Sequence, residues 1–201
     1  LWLKKFNAAK ASGSEDKFRE ICTMLMRYHS STRERLPIIC DFYTKIFSII
    51  PKFDSIVDIG CGLNPLAIPW MPIDRKVKYC AYDIYTDLTQ FLNEFMKLIK
   101  IQGYAEVRDI ITSPPPVQAD LALILKTIPC LEQVDKRAGI KLLEKIKASY
   151  MVVSFPVKSL GGRDKDMRQN YQDRFYALLQ NKEWKFDCLE FKTELVFLIT
   201  K

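Results

Sequence analysis

The sequence predicts a doubly wound α/β domain on a mainly parallel seven-stranded sheet, with a C-terminal antiparallel hairpin and a short N-terminal helical extension. Three observations predict it. Short apolar runs alternate with helical patterns from about residue 55 onward, as βαβ crossovers require. The first run opens into a glycine turn, Val57-Asp58-Ile59-Gly60-Cys61-Gly62-Leu63-Asn64-Pro65. Two final apolar runs, 186–191 and 194–199, are separated only by Lys192 and Thr193 and read as a hairpin.

The elements follow in order. At 201 residues and 48% hydrophobic, the chain has room for one full α/β core, predicted over 51–201, and a helical extension over 1–50. In 15–28, Phe18, Ile21, Leu25 and Tyr28 recur at helical spacing. Ser31 stands three residues before Glu34, a capping-box pattern that predicts a second helix to about Ile50, with Leu36, Ile39, Tyr43, Ile46 and Ile50 on one face and Pro51 as its stop. Strands are predicted at 55–60, 78–84, 104–109, 120–125, 150–155, 186–191 and 194–199, and helices over about 87–101, 133–147 and 165–180. Pro114 to Pro116 predicts a stiff loop. The chain starts at Leu1 without the apolar run of a signal peptide, which predicts a fragment or processed product. No stretch reaches the roughly 18 apolar residues of a membrane span, so a soluble protein is expected.

A net charge of +7 and a pI near 9.0 favour a polyanionic partner, because Lys and Arg neutralise phosphates. A basic enzyme that meets no nucleic acid stays open on charge alone. The six cysteines form no C-x-x-C pair and several sit in apolar segments, which fits a reducing cytoplasm and argues against a structural metal.

Gly60 and Gly62 let the backbone turn sharply and approach a ligand. Asn64 stands where many such loops carry a third glycine; Asn tolerates positive φ, and Pro65 suits a first helical position. Asp58 precedes the first glycine by two positions. The second strand ends in Asp83, where a carboxylate accepts hydrogen bonds from the ribose of a nucleoside cofactor, and the third ends in Asp109 and Ile110, placed for an adenine ring. A hairpin closing a parallel sheet is the arrangement of class I methyltransferases, whose cofactor is S-adenosylmethionine. The loop reads G-x-G-x-x-P, which lacks the glycine that a nicotinamide enzyme uses to close helix on strand.

His29-Ser30-Ser31-Thr32-Arg33-Glu34-Arg35-Leu36, DIGCGLNP over 58–65, DLALILKTIPCLE over 120–132, VSFPVKSLGGR over 153–163 and Thr193-Glu194-Leu195 together resemble the aminoglycoside-resistance 16S rRNA (guanine 1405, N7) methyltransferases. The resemblance implies a cofactor pocket lined by His29, Ser30, Ser31, Thr32, Arg33, Glu34 and Arg35 with Gly60, Asp83, Ile84, Asp109, Ile110, Leu125 and Gln133. It also implies action on assembled 30S subunits and a helical docking domain, which is expected to be shortened because only 28 residues precede His29. A monomer that needs no metal is expected.

Guanine N7 offers an in-plane lone pair, so methyl transfer to it needs orientation and no general base. An arginine fork on O6 and N7 is excluded while N7 reacts. The base is therefore expected to be flipped, stacked on Phe155 and held on its Watson-Crick edge by Glu194, with Glu132 as the second candidate. Arg33, Arg35, Lys126 and Arg163 are the cations expected near the site. Lys126 stands out because it ends an apolar strand, where a charge needs a partner. The Leu160-Gly161-Gly162-Arg163 loop, with Lys158, Lys165 and Arg168, suits a phosphate backbone. His29 also reads as a packing residue. A class I methyltransferase with another substrate and a non-catalytic ribosome-binding module are the remaining alternatives.

Overall fold

The structure is a computed structural model and describes residues 2–157, 164–180 and 182–201. Its centre is a seven-stranded sheet: β1 (Ser55–Ile59), β2 (Lys78–Asp83), β3 (Gln102–Val107), β4 (Gln118–Leu125), β5 (Lys147–Pro156), β6 (Lys185–Glu190) and β7 (Glu194–Thr200), in the order β3-β2-β1-β4-β5-β7-β6. The first five strands pair in parallel, and β7 runs antiparallel between β5 and β6. Successive strands step outward one way from β1 to β3 and the other way from β4, so the crevice at the C-terminal ends of β1 and β4 is the switch point where such sheets bind ligands.

Four helices precede the sheet: α1 (Trp2–Ala11), α2 (Glu15–Met26), α3 (Ser30–Arg35) and α4 (Ile39–Ile49). The sequence predicts one helix over 31–50, but a 3-10 turn at Leu36–Ile38 divides it, because Pro37 has no N–H to donate and its ring crowds the carbonyl four residues back. The capping box is absent too. His29 occupies the N-cap, and Glu34 turns to Lys126 instead. The first helix was not foreseen; Phe6 anchors it in full burial, with its ring 5.1 Å from Phe18 and 5.3 Å from Phe95.

Beyond β1 the chain makes a 3-10 segment, Asn64–Trp70, which starts one residue before the predicted Pro65 and stays short of an α-helix, with Pro69 inside it. The helix α5 (Thr86–Ile99) ends on Lys100 in the left-handed region. Of the predicted helix over 133–147 the structure forms α7 (Ala138–Lys145), preceded by an unpredicted α6 (Ile128–Val134), and α8 (Asp164–Leu179) precedes the hairpin. Asp135 takes the Arg137 N–H across the break, the local side-chain bond by which an Asp competes with helix.

Strand alternation sorts the core into two layers. On one side Leu121 and Leu123 of β4 join Ile56, Val196 and Leu198, and the N-terminal helices add Phe6, Cys22, Phe42 and Ile46. On the other, Ala122 and Ile124 join Val57, Val153, Phe155 and Phe197 beneath Leu142, Leu143 and Phe175. Residues 1–50 and the sheet thus share one apolar layer. No helix among the described residues is long and apolar enough to cross a membrane, and all six cysteines are free.

Candidate active site

The end of β1 holds two glycines with positive φ, Gly60 at 64° and Gly62 at 49°. Both are packed as well as twisted: a Cβ on Gly60 would lie 2.8 Å from Thr127 Cγ2, and one on Gly62 would lie 2.9 Å from His29 Cε1. Asn64 is in helical backbone, contrary to the expectation that it replaces a glycine for its φ. Its side chain supplies the reason for its presence.

Asp83 ends β2 and reaches back to the loop. Its Oδ2 accepts the Gly62 N–H at 2.8 Å and its Oδ1 accepts the Ile84 N–H at 2.8 Å. Oδ1 also accepts the Tyr85 N–H at 3.3 Å, so the lone pair left for a ribose hydroxyl is on Oδ2. Beside it Ile84 is 59% exposed and Tyr85 is exposed, apolar surface that a flat ring would cover. Arg108 donates its backbone N–H to the Asp83 carbonyl and so brings the end of β3 alongside. There Asp109 is exposed; the hydrogen bond from Thr112 and the Ile111 N–H hold its carboxyl below the usual range. Ile110 is buried in the second apolar layer and Leu125 in the first. Gln133 is exposed on α6. The turn glycines, the doubly anchored acid and the open apolar surface beside it fit a nucleoside cofactor such as S-adenosylmethionine.

The segment after α2 lies across this loop. His29 sits over Gly62 and bonds Ser31 Oγ through Nδ1 at 2.8 Å. Thr32 donates to the Met26 carbonyl at 2.7 Å, which fixes the start of α3. Ser30 and Arg33 face solvent. Arg35, only 2% exposed, forks onto Glu194 of β7, itself fully buried: Nε to Oε1 at 2.8 Å and Nη2 to Oε2 at 2.9 Å. Burial alone would depress the guanidinium pKa, but the Glu194 charge and hydrogen bond, with Tyr43 and Asp58, together more than offset it, and the group stays above its usual value.

The third guanidinium nitrogen extends this pair into a buried chain. Nη1 of Arg35 donates to Asn64 Oδ1 at 2.9 Å, and Tyr43 of α4 donates to the same oxygen at 2.5 Å. Asn64 Nδ2 donates to Asp58 Oδ2 at 2.9 Å, and Tyr79 of β2 donates there at 2.6 Å. Burial pushes the Asp58 carboxyl up to about 6, against the pull of the Tyr79 and Asn64 hydrogen bonds. Lys126 occupies a left-handed turn after β4, with φ 59°. Its amine is 2.7 Å from Glu34 Oε2, 3.4 Å from Glu194 Oε1 and 3.4 Å from the Ser31 carbonyl, so the charge on the apolar strand finds its partners on α3 and β7.

The predicted residues therefore divide. His29, Ser31, Thr32, Glu34, Arg35, Asp58, Gly60, Gly62, Asp83, Lys126 and Glu194 come together at the switch point. Phe155 lies in the second apolar layer, 5% exposed, with its ring 4.9 Å from Tyr171 and 5.8 Å from Phe175. Glu132 pairs with Arg174 of α8. Arg163, with Lys158, Gly161 and Gly162, lies outside the described residues, and Arg168 bonds Glu190 at 2.8 Å. Sequence reasoning missed Asn64 as a hub, together with Tyr43, Tyr79 and Thr127. The tyrosines carried a signal: a phenol in an otherwise apolar face needs a buried partner.

Residues 2–198 match the family model described as ribosomal RNA methyltransferase (FmrO). The chain belongs to this family. Among curated FmrO-like relatives, the 16S rRNA (guanine(1405)-N(7))-methyltransferase of Frankia casuarinae is 36% identical over 99% of this chain and 70% of its own length. The protein of the same name from Serratia marcescens is 35% identical over 99% of this chain and 75% of its own. Among solved structures, the 16S rRNA methyltransferase RmtF in complex with S-adenosyl-L-homocysteine superposes with a TM-score of 0.84 at 27% identity, covering all of this chain and 75% of that one. The 16S rRNA methylase ArmA gives 0.73 at 30% identity, covering all of this chain and 97% of that one. The chain thus shares its fold with these solved 16S rRNA methylases.

Proposed function

We propose that this chain transfers a methyl group from S-adenosylmethionine to N7 of guanine 1405 in 16S rRNA of the 30S subunit, acting in the cytoplasm as a monomer without a metal and conferring aminoglycoside resistance. The observation that carries this reading is the similarity over 99% of the chain to curated proteins that bear that activity as their name. The geometry supports it. When bound, S-adenosylmethionine supplies an electrophilic methyl group. Asp83 accepts from the ribose on the Oδ2 lone pair that Gly62 leaves free, and Asp109 and Ile84 flank the adenine. Gly60 and Gly62 keep the loop flat enough for close approach.

N7 attacks with its own lone pair, so this chain has to orient and desolvate and removes no proton in the step. Glu194 serves that end through others: with both oxygens on Arg35 and one near Lys126, it fixes two cations at the crevice. Phe155, 5% exposed and packed against Tyr171, Phe175 and Phe197, serves the apolar layer and leaves no open face to stack on the base, and Arg163 is the cation assigned to the phosphate backbone. Residues 1–50 form the helical extension that completes the cofactor side. The reading is tested with methyl-labelled S-adenosylmethionine and purified 30S subunits, with calorimetric binding of S-adenosylhomocysteine as the parallel readout. Label in the 16S rRNA is expected. Cofactor binding without label in 30S subunits would overturn the substrate, and absence of cofactor binding would overturn the reaction.

A further inference from the structure

Asn64 is the junction of every buried polar contact between the N-terminal helices and the glycine loop. It is 3% exposed and saturated on both sides of its amide. The oxygen faces two donors, Arg35 Nη1 and Tyr43 Oη, and the nitrogen faces the Asp58 carboxylate, with Tyr79 Oη 3.5 Å away. A flipped amide would set NH2 against donors and oxygen against a carboxylate, so one polarity alone is allowed. The backbone gives no reason for asparagine, since the positive φ angles of the loop fall on Gly60 and Gly62. The chain of contacts runs from Glu194 of β7 through Arg35 and Asn64 to Asp58 of β1. Two residues before Asn64, Gly62 is held by Asp83.

We propose that Asn64 is a positioning residue of the methyl-transfer site: its amide, held in one polarity between the Arg35–Glu194 pair and Asp58, sets the glycine loop against α3. The proposal rests on the methyltransferase reading for its catalytic consequence. It does not rest on it for cofactor affinity, because the loop that Asn64 steadies carries the Gly62 N–H bound to Asp83.

Polarity makes the test specific. The groups facing the junction are Arg35 from α3, Tyr43 from α4, Asp58 from β1, Cys61 from the loop, Tyr79 from β2 and Glu194 from β7, with Asp83 and Lys126 farther out. In Asn64→Asp two carboxylates meet at hydrogen-bond distance and must share a proton. The methyl transfer itself uses no general base, so a fall of function with rising pH reports on this contact. Asn64→Asp is expected to bind S-adenosylhomocysteine close to wild type at about pH 6 and at least about tenfold more weakly at about pH 9, the loss of one hydrogen bond to a charged group. Methylation of 30S subunits is expected to fall with it. Asp58→Asn combined with Asn64→Asp restores one donor facing one carboxylate, and at about pH 9 it is expected to recover wild-type affinity within about threefold.

A folded Asn64→Asp with affinity and methylation within about twofold of wild type at about pH 9 would overturn the proposal. So would a loss that is equal at every pH and unrepaired by the exchange. Where Asn64→Asp alone fails to fold, the exchanged pair decides: binding restored supports the polarity argument, and a folded pair that does not bind the cofactor refutes it. If wild type binds S-adenosylhomocysteine but leaves 30S subunits unmodified, the RNA reading fails while the affinity comparison still decides the role of Asn64.

Discussion

Asp83 does two things with one carboxylate, tying Gly62, Ile84 and Tyr85 in place and keeping one Oδ2 lone pair for a ligand. Asp83→Ala is expected to cost about 1.5 to 3 kcal/mol of cofactor binding, the range for hydrogen bonds to a charged group, measured by calorimetry with S-adenosylhomocysteine. Unchanged affinity would move the ribose site elsewhere. Asp58 makes a prediction about pH. Its carboxyl is raised by burial from 3.8 to about 6 in the folded chain. The folded state therefore holds that proton more tightly than the unfolded state, and the stability this confers is present below about pH 4 and lost as pH rises through 6, about 3 kcal/mol in all. Urea denaturation of wild type and Asp58→Asn as a function of pH checks it: the difference between the two curves should change between pH 4 and 6 and stay flat above. The sequence placed Asp83 at a strand end about twenty residues past a glycine turn, and the structure brings it onto that turn; its hold on a ribose is the proposal that Asp83→Ala tests. Asn64 was misread, because its identity was referred to backbone φ when its side chain decides it.

Among the elements, α3 and β7 are the pair that closes the site. The Arg35–Glu194 fork joins residues 159 positions apart with side chains almost wholly out of water. Removing one charge from such a pair leaves the other buried without compensation, which costs more than the intact pair contributes. Glu194→Gln is expected to lose about 3 kcal/mol of unfolding free energy and to expose residues 30–35 to faster amide exchange. A variant as stable as wild type would show that the fork does not hold α3 down. The sequence identified both residues as site candidates, but nothing local joins them: periodicity reports which face of an element is apolar, and long-range polar pairing leaves no period. The division of the predicted helix over 31–50 was visible in Pro37. Leu36 before it falls in phase with Ile39, Tyr43, Ile46 and Ile50 after it, which hid the break.

At the scale of the molecule, seven strands, their parallel majority and the closing hairpin were legible because each strand is a short apolar run bounded by turns or helices. The docking of residues 1–50 on the sheet was less so. Phe6, Cys22, Phe42 and Ile46 enter the same apolar layer as Ile56, Leu121 and Val196, and that shared layer is what carries α3 across the glycine loop. Residues 1–50 thus bear directly on the glycine loop, and a charge of +7 suits a polyanionic partner. The central claim is that this assembly methylates one ring nitrogen of one base. It is tested most directly by incubating the chain with S-adenosylmethionine and 30S subunits, cleaving the extracted 16S rRNA at N7-methylguanine by reduction and aniline scission, and mapping the break by primer extension. The account predicts a new break at guanine 1405 that depends on cofactor and disappears in Asp83→Ala. Methylation confined to another position, or no break with cofactor binding intact, would contradict it.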